Sequence, residues 1–341
     1  MSKVETVRLL ILFSLLLPSQ SPAFADTNQA AAALNQGRAD DATRILKIQL
    51  ASNPHDGTAH QLLCRVFYSQ ELAEPAIHEC EAAVADAALS EGSDESASDN
   101  YLWLGRAYGL KASRANPISA FRLAKKVAAS FQRAVELDPA NVAALSDLGE
   151  FYVAAPSVVG GGLDKAQQLS TRIMAVSPSK AHRLLGMIAE KQGDTTTAEA
   201  EFKKAVDAQR SPETYVDLGD FYQRHHQYDQ SFAAVLMAIR LDHARDAAMV
   251  DAASILTESH RDLKLARQLL EEYLASPAKQ DDAPAAKVHK QLGDLLATTG
   301  DPAGARREYE SALALASNYA PAHKALQALP PLPGQTALRN P

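Results

Sequence analysis

One short phrase recurs along the sequence and constrains what the chain can fold into. A leucine and a glycine are followed, three residues after the glycine, by a tyrosine or leucine at 104–108, 148–152, 218–222 and 292–296. Self-similarity of this kind is typical of arrays in which each unit packs on its neighbours and no unit buries a core alone. The sequence therefore predicts a repeat array rather than one or two globular domains.

A second half-phrase follows the first and identifies the type of repeat. After Tyr108 come Phe131, Ala134 and Pro139, in the pattern of a large apolar residue, a small residue and a closing proline. Together the two halves resemble the tetratricopeptide unit, which is two antiparallel helices in about 34 residues. Residues 100–178 also resemble a group of secreted bacterial tetratricopeptide proteins without assigned chemistry. The resemblance implies a right-handed superhelix whose first helices line a concave face.

The repeat pattern predicts an all-α solenoid over residues 26–330, with about eight helix pairs between 28 and 318 and a C-terminal capping helix. In the third pair, extra residues predict a lengthened second helix that protrudes and is made basic by Lys111, Arg114, Arg122, Lys125 and Lys126. The first unit is degenerate and rich in alanine, as expected of a terminal repeat with one face that has no neighbour.

The two ends of the sequence predict segments outside the solenoid. Lys3 and Arg8 precede an apolar run at 9–17, and Ala23 and Ala25 form a small-x-small site. This pattern is that of a secretory signal peptide at 1–25, cleaved after Ala25, and we expect a periplasmic or secreted protein with no membrane insertion after cleavage. The proline-rich residues 331–341 predict a disordered tail.

Composition and motifs give no support to several classes of function. The formal net charge of −7 gives no basic stripe for nucleic acid. The three glycines at 160–162 lack the GxxxxGK[ST] pattern of a phosphate loop. The neighbouring His225 and His226 diverge on a helix, and there is no HExxH or CxxC. We therefore expect no catalytic residues, no metal and no cofactor.

Charged residues at fixed distances from the Leu-Gly pairs are the best candidates for binding. We expect Arg65 and Arg106 on neighbouring first helices, where they offer forked donors to an acidic partner. A carboxylate-binding set known in some tetratricopeptide domains requires asparagine at these two positions, so that set is not matched. The full predicted concave set is Arg65, Arg106, Glu150, Lys180, Arg183, Asp220, Arg224, Lys287, Lys290 and Asp294.

The leading functional interpretation is a non-catalytic scaffold that binds a protein or peptide in the concave groove. Two alternatives stay open at this level. One is an accessory or catalytic subunit, for example in cell-wall metabolism, with an unrecognised site. The other is a glycan- or small-molecule-binding module that uses Tyr101, Tyr152, Tyr215 and Tyr222 as aromatic platforms.

The only two cysteines, Cys64 and Cys80, fall on the two helices of the second pair. They are nearly equidistant from the predicted turn, so a disulfide with Cα atoms about 5.5 Å apart is feasible. An oxidising compartment would let such a bond persist. The alternative is two buried free thiols that act as small apolar residues.

Overall fold

A computed structural model describes residues 26–89, 93–277 and 279–330. These residues form seventeen α-helices and no β-strand. The predicted signal peptide at 1–25 and the predicted tail at 331–341 lie outside the described residues. None of the described helices is both long enough and apolar enough to cross a bilayer.

The helices form eight consecutive antiparallel pairs followed by a single helix, as the sequence predicts. The pairs are α1 (Thr27–Asn35) and α2 (Ala39–Ser52), α3 (Gly57–Ser69) and α4 (Ala73–Leu89), α5 (Asp94–Ala112) and α6 (Pro117–Leu137), α7 (Val142–Ala154) and α8 (Leu163–Val176), α9 (Pro178–Lys191) and α10 (Thr195–Ala208), α11 (Pro212–Arg224) and α12 (Tyr228–Leu241), α13 (Ala247–Glu258) and α14 (Leu263–Ala275), and α15 (Ala285–Thr298) and α16 (Pro302–Leu315); α17 (Ala320–Ala328) comes last.

Local sequence explains why the chain turns back within a pair. Gly193 follows α9 with a positive φ of 82°, a conformation that costs glycine little and other residues more. The next residue, Asp194, accepts a hydrogen bond from the backbone N–H of Thr197 and so caps α10. Gly300 and Asp301 do the same between α15 and α16. The Gly-Asp dipeptides are therefore helix stop and start signals.

The Leu-Gly phrase marks where the two helices of a pair approach closely. A Cβ placed on Gly186 of α9 would lie 2.9 Å from the Phe202 ring of α10, so the glycine makes room for that ring. The leucines of the phrase, such as Leu148 and Leu218, are buried between pairs. Burial of such side chains contributes about 1.5–3 kcal/mol each, and each buried cluster is shared by several neighbouring pairs.

The third pair is the longest, as the inserted residues predict. The second helix, α6, has 21 residues, but α5 is also long at 19 residues, which was not predicted from the sequence. Ile118 and Phe121 on the extended part of α6 are exposed, at 75% and 42%. Lys111 and Lys126 pair with Glu74 and Glu81 of α4, so part of the predicted basic surface is neutralised.

The expectation of an uncovered N-terminal face is wrong, because the solenoid closes on itself. Ala30, Ala33 and Leu34 of α1 belong to the same buried cluster as Ala316 and Tyr319 near the C-terminal end. The backbone N–H of Lys279 donates to the carbonyl of Asn35, and the N–H of Ser317 donates to Asp40 Oδ2 at 2.9 Å. We call this contact between α1–α3 and residues 279–322 the seam.

Candidate binding surfaces on the inner wall

The first helices of successive pairs line a groove with an apolar floor and charged walls. Between α7, α9 and α11, with Phe202 contributed by α10, lies a depression of about 520 Å³, which we call the inner groove. Val153, Met187 and Phe202 form its apolar part. The charged residues around it include Arg183, Glu190, Asp217, Asp220 and Arg224. Apolar surface together with a few oriented polar groups is the usual composition of a binding site.

The charged residues of the inner wall bind one another from helix to helix. Arg183 of α9 donates from Nη1 to Glu150 of α7 at 2.6 Å, and from Nε to Asp217 of α11 at 2.8 Å. Arg224 of α11 donates through Nε and Nη2 to both carboxylate oxygens of Glu190 of α9, at 3.0 and 2.9 Å. Each pair joins residues 33 or 34 apart, so the ion pairs follow the repeat period.

These pairs stabilise the charged form of the arginines, which are partly buried. Burial opposes the charge of Arg183, but Asp217 and Glu150 outweigh it and raise the pKa of this guanidinium above its ordinary value. The pKa of Arg224 behaves in the same way: burial is the largest effect, and Glu190 and Asp220 reverse it. The inner wall therefore carries charges of both signs at fixed positions, with the walls of the groove held by its own ion pairs.

Arg65 and Arg106 lie on neighbouring first helices, α3 and α5, and both contact the same ring. Their guanidinium carbons lie 5.4 and 4.7 Å from the ring centre of buried Trp103, within range of cation–π attraction. Arg106 also donates from Nε to Asp147 of α7 at 2.7 Å, and Arg65 donates to Asp281 at 2.7 Å. The forked donors that were predicted to bind an acidic partner are therefore engaged by this chain's own carboxylates.

The remaining predicted residues lie in two places. Lys287 and Lys290 of α15 line a second depression of about 500 Å³ with Glu71, Ser254 and Tyr319, and Lys290 is paired with Asp294 at 2.5 Å. Lys180 is at the start of α9, outside both depressions.

The binding role of the predicted set stays a prediction. Asp147, Glu190, Asp217 and Asp281 were not predicted, although the spacing of 34 residues from Arg183 and Arg224 could have identified Asp217 and Glu190.

Asp251 of α13 is a site of concentrated negative charge on this wall. Asp251 is exposed at the surface, and partial desolvation by neighbouring atoms is the largest effect that raises the pKa of its carboxyl to about 6. Nearby carboxylates raise the pKa further and one lysine lowers it. The charged groups that face Asp251 are Asp217, Asp220, Asp282 and Lys287.

Replacement of Asp251 by asparagine is expected to increase the free energy of unfolding at pH 7. A raised pKa means that the folded state binds the proton more tightly than the unfolded state. The ionised carboxylate therefore lowers the free energy of unfolding, and this loss is complete above pH 6. The loss disappears as the pH falls below about 4. Solvent screening keeps the effect below about 1 kcal/mol. Chemical denaturation at pH 4 and pH 7 measures it, with Asp207→Asn on α10 as the control; an equal difference at both pH values would contradict it.

The histidines are used in the packing of pairs. His60, His182 and His289 each contact a glutamate 19 residues later, on the second helix of the same pair, at 2.6, 2.7 and 2.8 Å. The structure therefore gives these histidines a repeated position between paired helices. Across the described ranges, no group of three or more histidine, cysteine, aspartate or glutamate side chains is arranged to hold a metal ion.

The four tyrosines proposed as aromatic platforms do not form them. Tyr152 and Tyr222 are buried, and their hydroxyls are bonded to Gln132 and Glu199. Tyr101 and Tyr215 are partly buried and pack against the core. The prediction of an exposed tyrosine surface for a glycan is wrong, because the large positions of the repeat are needed to fill the space between helices.

The two cysteines face each other across the second pair. Cys64 of α3 and Cys80 of α4 are joined as a disulfide with their Cα atoms 5.2 Å apart. This separation lies in the ordinary range for disulfides. Both residues are buried, so the bridge lies within the core between α3 and α4. Whether the protein carries the bond in solution stays a prediction.

The architecture defines a class of protein: an all-α solenoid of antiparallel helix pairs. Residues 180–212, which span α9 and α10, match the family model described as tetratricopeptide repeat. The fold of the chain is that of a tetratricopeptide-repeat solenoid. A comparison with curated protein sequences gave no match.

Solved structures of the same class are similar to this chain. Yeast Tom70 is 16% identical over 90% of this chain and 65% of its own, with a TM-score of 0.51. A tetratricopeptide protein of Thermus thermophilus is 17% identical over 73% of this chain and 97% of its own, with a TM-score of 0.39. The C-terminal part of a Cytophaga hutchinsonii repeat protein is 11% identical over 88% of this chain and 99% of its own, with a TM-score of 0.43. At these identities the similarity concerns the fold alone.

Proposed function

We propose that this protein is a non-catalytic scaffold that binds a peptide segment of a partner protein in the inner groove. The observation that carries the proposal is the groove between α7, α9 and α11, with Met187 and Phe202 on its floor and ion-paired arginines and carboxylates on its walls. An apolar floor favours burial of a partner side chain, and fixed charges of both signs orient the peptide. A tetratricopeptide solenoid is in general a scaffold for protein–protein interaction, which supports the same conclusion.

The proposal includes a location outside the cytoplasm. The basic start, apolar run and small-x-small site of residues 1–25 support export, and the pair Cys64 and Cys80 fits an oxidising compartment. The partner is then a periplasmic or secreted protein. The alternative of a catalytic subunit has less support, because the carboxylates of the inner groove are paired with arginines.

The test is site-specific photo-crosslinking with a photoreactive amino acid at Met187. Crosslinks to one partner in the periplasmic compartment are expected at this position and not at Leu236, an exposed side chain of α12 outside the groove. Met187→Glu should abolish capture by placing an unpaired charge on the apolar floor. Equal crosslinking at both positions, or capture that survives Met187→Glu in a folded protein, would reject the inner groove as the binding surface.

A further inference from the structure

The segment 279–284 reaches from the C-terminal part of the solenoid to the N-terminal part. It joins α14 to α15, and its sequence is Lys-Gln-Asp-Asp-Ala-Pro. Its carboxylate Asp281 accepts a hydrogen bond from Nη2 of Arg65 on α3 at 2.7 Å, although the two residues are 216 positions apart. Both side chains are about three-quarters buried, with 22% and 23% of their surfaces exposed. Water and salt screen such a shielded ion pair less than they screen an exposed one.

Hydrogen bonds to the C-terminal repeats fix the conformation of the segment. The hydroxyl of fully buried Tyr273 donates to the carbonyl of Ala283 at 2.6 Å and accepts the N–H of Gln280 at 2.9 Å. The side-chain oxygen of Gln280 accepts the N–H of Ala247 at the start of α13. These bonds anchor both flanks of Asp281 to the C-terminal repeats. The carboxylate is therefore presented to α3 in a fixed position, in the manner of a bound peptide.

The hydrogen-bonding capacity of Arg65 on α3 is only partly satisfied. Nε of Arg65 is buried and has no acceptor among the described residues, so only one arm of the guanidinium is engaged. Arg65 is oriented by Trp103, which also contacts Arg106, and Asp282 borders the same depression as Arg106 and Tyr68. Two consecutive carboxylates of one short segment thus lie beside two arginines that flank one ring. The contact is that of an acidic segment on two arginines, one of which also pairs with Asp147.

Small residues form part of the seam around this contact, beside the buried ring of Tyr319. Leu34, Ala39, Ala285 and Ala316 surround a cavity of about 20 Å³. Alanine side chains bury little apolar surface, so the hydrophobic contribution per residue is small here. Polar contacts, among them Arg65 with Asp281 and Ser317 with Asp40, also join the first and last repeats.

We propose that the Arg65 surface is a binding site for an acidic peptide, and that residues 279–284 are its internal ligand in the closed solenoid. A peptide with adjacent carboxylates competes with Asp281 for Arg65, and it must displace the segment before it binds. Because the segment is part of the chain, it competes at an effective concentration of about millimolar, and it lowers the apparent affinity of an external peptide accordingly. This inference does not rest on the inner groove, whose residues it does not involve.

The test uses a fluorescent copy of the segment, the hexapeptide Lys-Gln-Asp-Asp-Ala-Pro, and fluorescence anisotropy with the full chain. Asp281→Asn weakens the internal competitor by removing its charge, so this variant is expected to bind the peptide at least about tenfold more tightly than the unmodified chain. Asp282→Asn is the matched control: it removes one neighbouring charge but leaves the bond to Arg65, and its affinity should lie within about threefold of the unmodified chain. Arg65→Gln added to Asp281→Asn should cancel the gain.

Equal affinities of Asp281→Asn and the unmodified chain would overturn the proposal, as would a gain that survives Arg65→Gln. A peptide with asparagine at both aspartate positions should bind at least about tenfold more weakly to Asp281→Asn, and equal binding would also overturn it. Helical circular dichroism establishes that each variant is folded. If Asp281→Asn opens the seam, Arg65 becomes more accessible and the expected gain is the same. Failure here leaves the crosslinking result at Met187 unaffected, so the two proposals are separable.

Discussion

Replacement of Cys64 and Cys80 by alanine is expected to lower the free energy of unfolding by about 3 kcal/mol. The two residues are 16 positions apart, and closing a loop of that length restricts the unfolded chain by roughly this amount in the chain-entropy model. The loss of two buried sulfur atoms adds to the effect. Denaturant unfolding of the two proteins, each produced in an oxidising compartment, measures the difference.

Two controls separate the covalent bond from the packing of sulfur. Thiol titration of the denatured, unreduced protein should find no free thiol, and two thiols per chain would show that the bond does not form. Reductant should destabilise the unmodified protein and leave the double alanine variant unchanged. Equal sensitivity of the two proteins to reductant would show that the effect of the substitutions arises from packing alone.

Gly37→Ala is expected to destabilise the protein by about 2–4 kcal/mol, more than the same change at Gly193. Both glycines turn the chain between the two helices of a pair with positive φ, 75° and 82°, so both substitutions carry the same backbone strain of about 1 kcal/mol. A Cβ on Gly193 meets nothing within 4 Å, whereas a Cβ on Gly37 would overlap the Cβ of Ala285 across the seam. Overpacking of this kind costs about 1–3 kcal/mol in addition.

The measurement combines chemical denaturation with small-angle scattering. If the seam separates to relieve the overlap, the radius of gyration of Gly37→Ala should increase while that of Gly193→Ala stays the same. The loss of stability is then limited to the free energy of the seam itself. Identical unfolding curves and identical radii for the two variants would show that the first and last repeats do not pack against each other in solution.

The helix pairs could be predicted because their determinants are local. The Leu-Gly phrase, the small residues of the second helix and the Gly-Asp turns act within one unit, and they identified all eight pairs and α17. The lengthening of α6 was also visible as an insertion, but the matching extension of α5 was not. An added stretch of helix needs a partner to pack on, so the preceding helix is lengthened too.

The seam could not be predicted, because no local signal encodes a contact between residues more than 200 positions apart. Alanine-rich α1 has the composition of a weak terminal helix, and the same composition allows close packing against the C-terminal repeats. The inner-wall charges were placed on the correct helices by their spacing from the glycines. The carboxylates that bind them were missed, since Asp281 lies outside the repeat phrase and Asp147 is 41 residues from Arg106, farther than the repeat period.

Closure changes how stability is distributed along the solenoid. In an open array, each terminal unit has one neighbour instead of two, so the array frays from its ends and shorter arrays are weaker. Contacts such as Ser317 with Asp40 and Lys279 with Asn35 give the first repeat a second neighbour. The array then has no terminal unit in the energetic sense. Local unfolding of any repeat must break two interfaces. Unfolding of the closed solenoid is therefore more cooperative than unfolding of a linear stack of the same eight pairs.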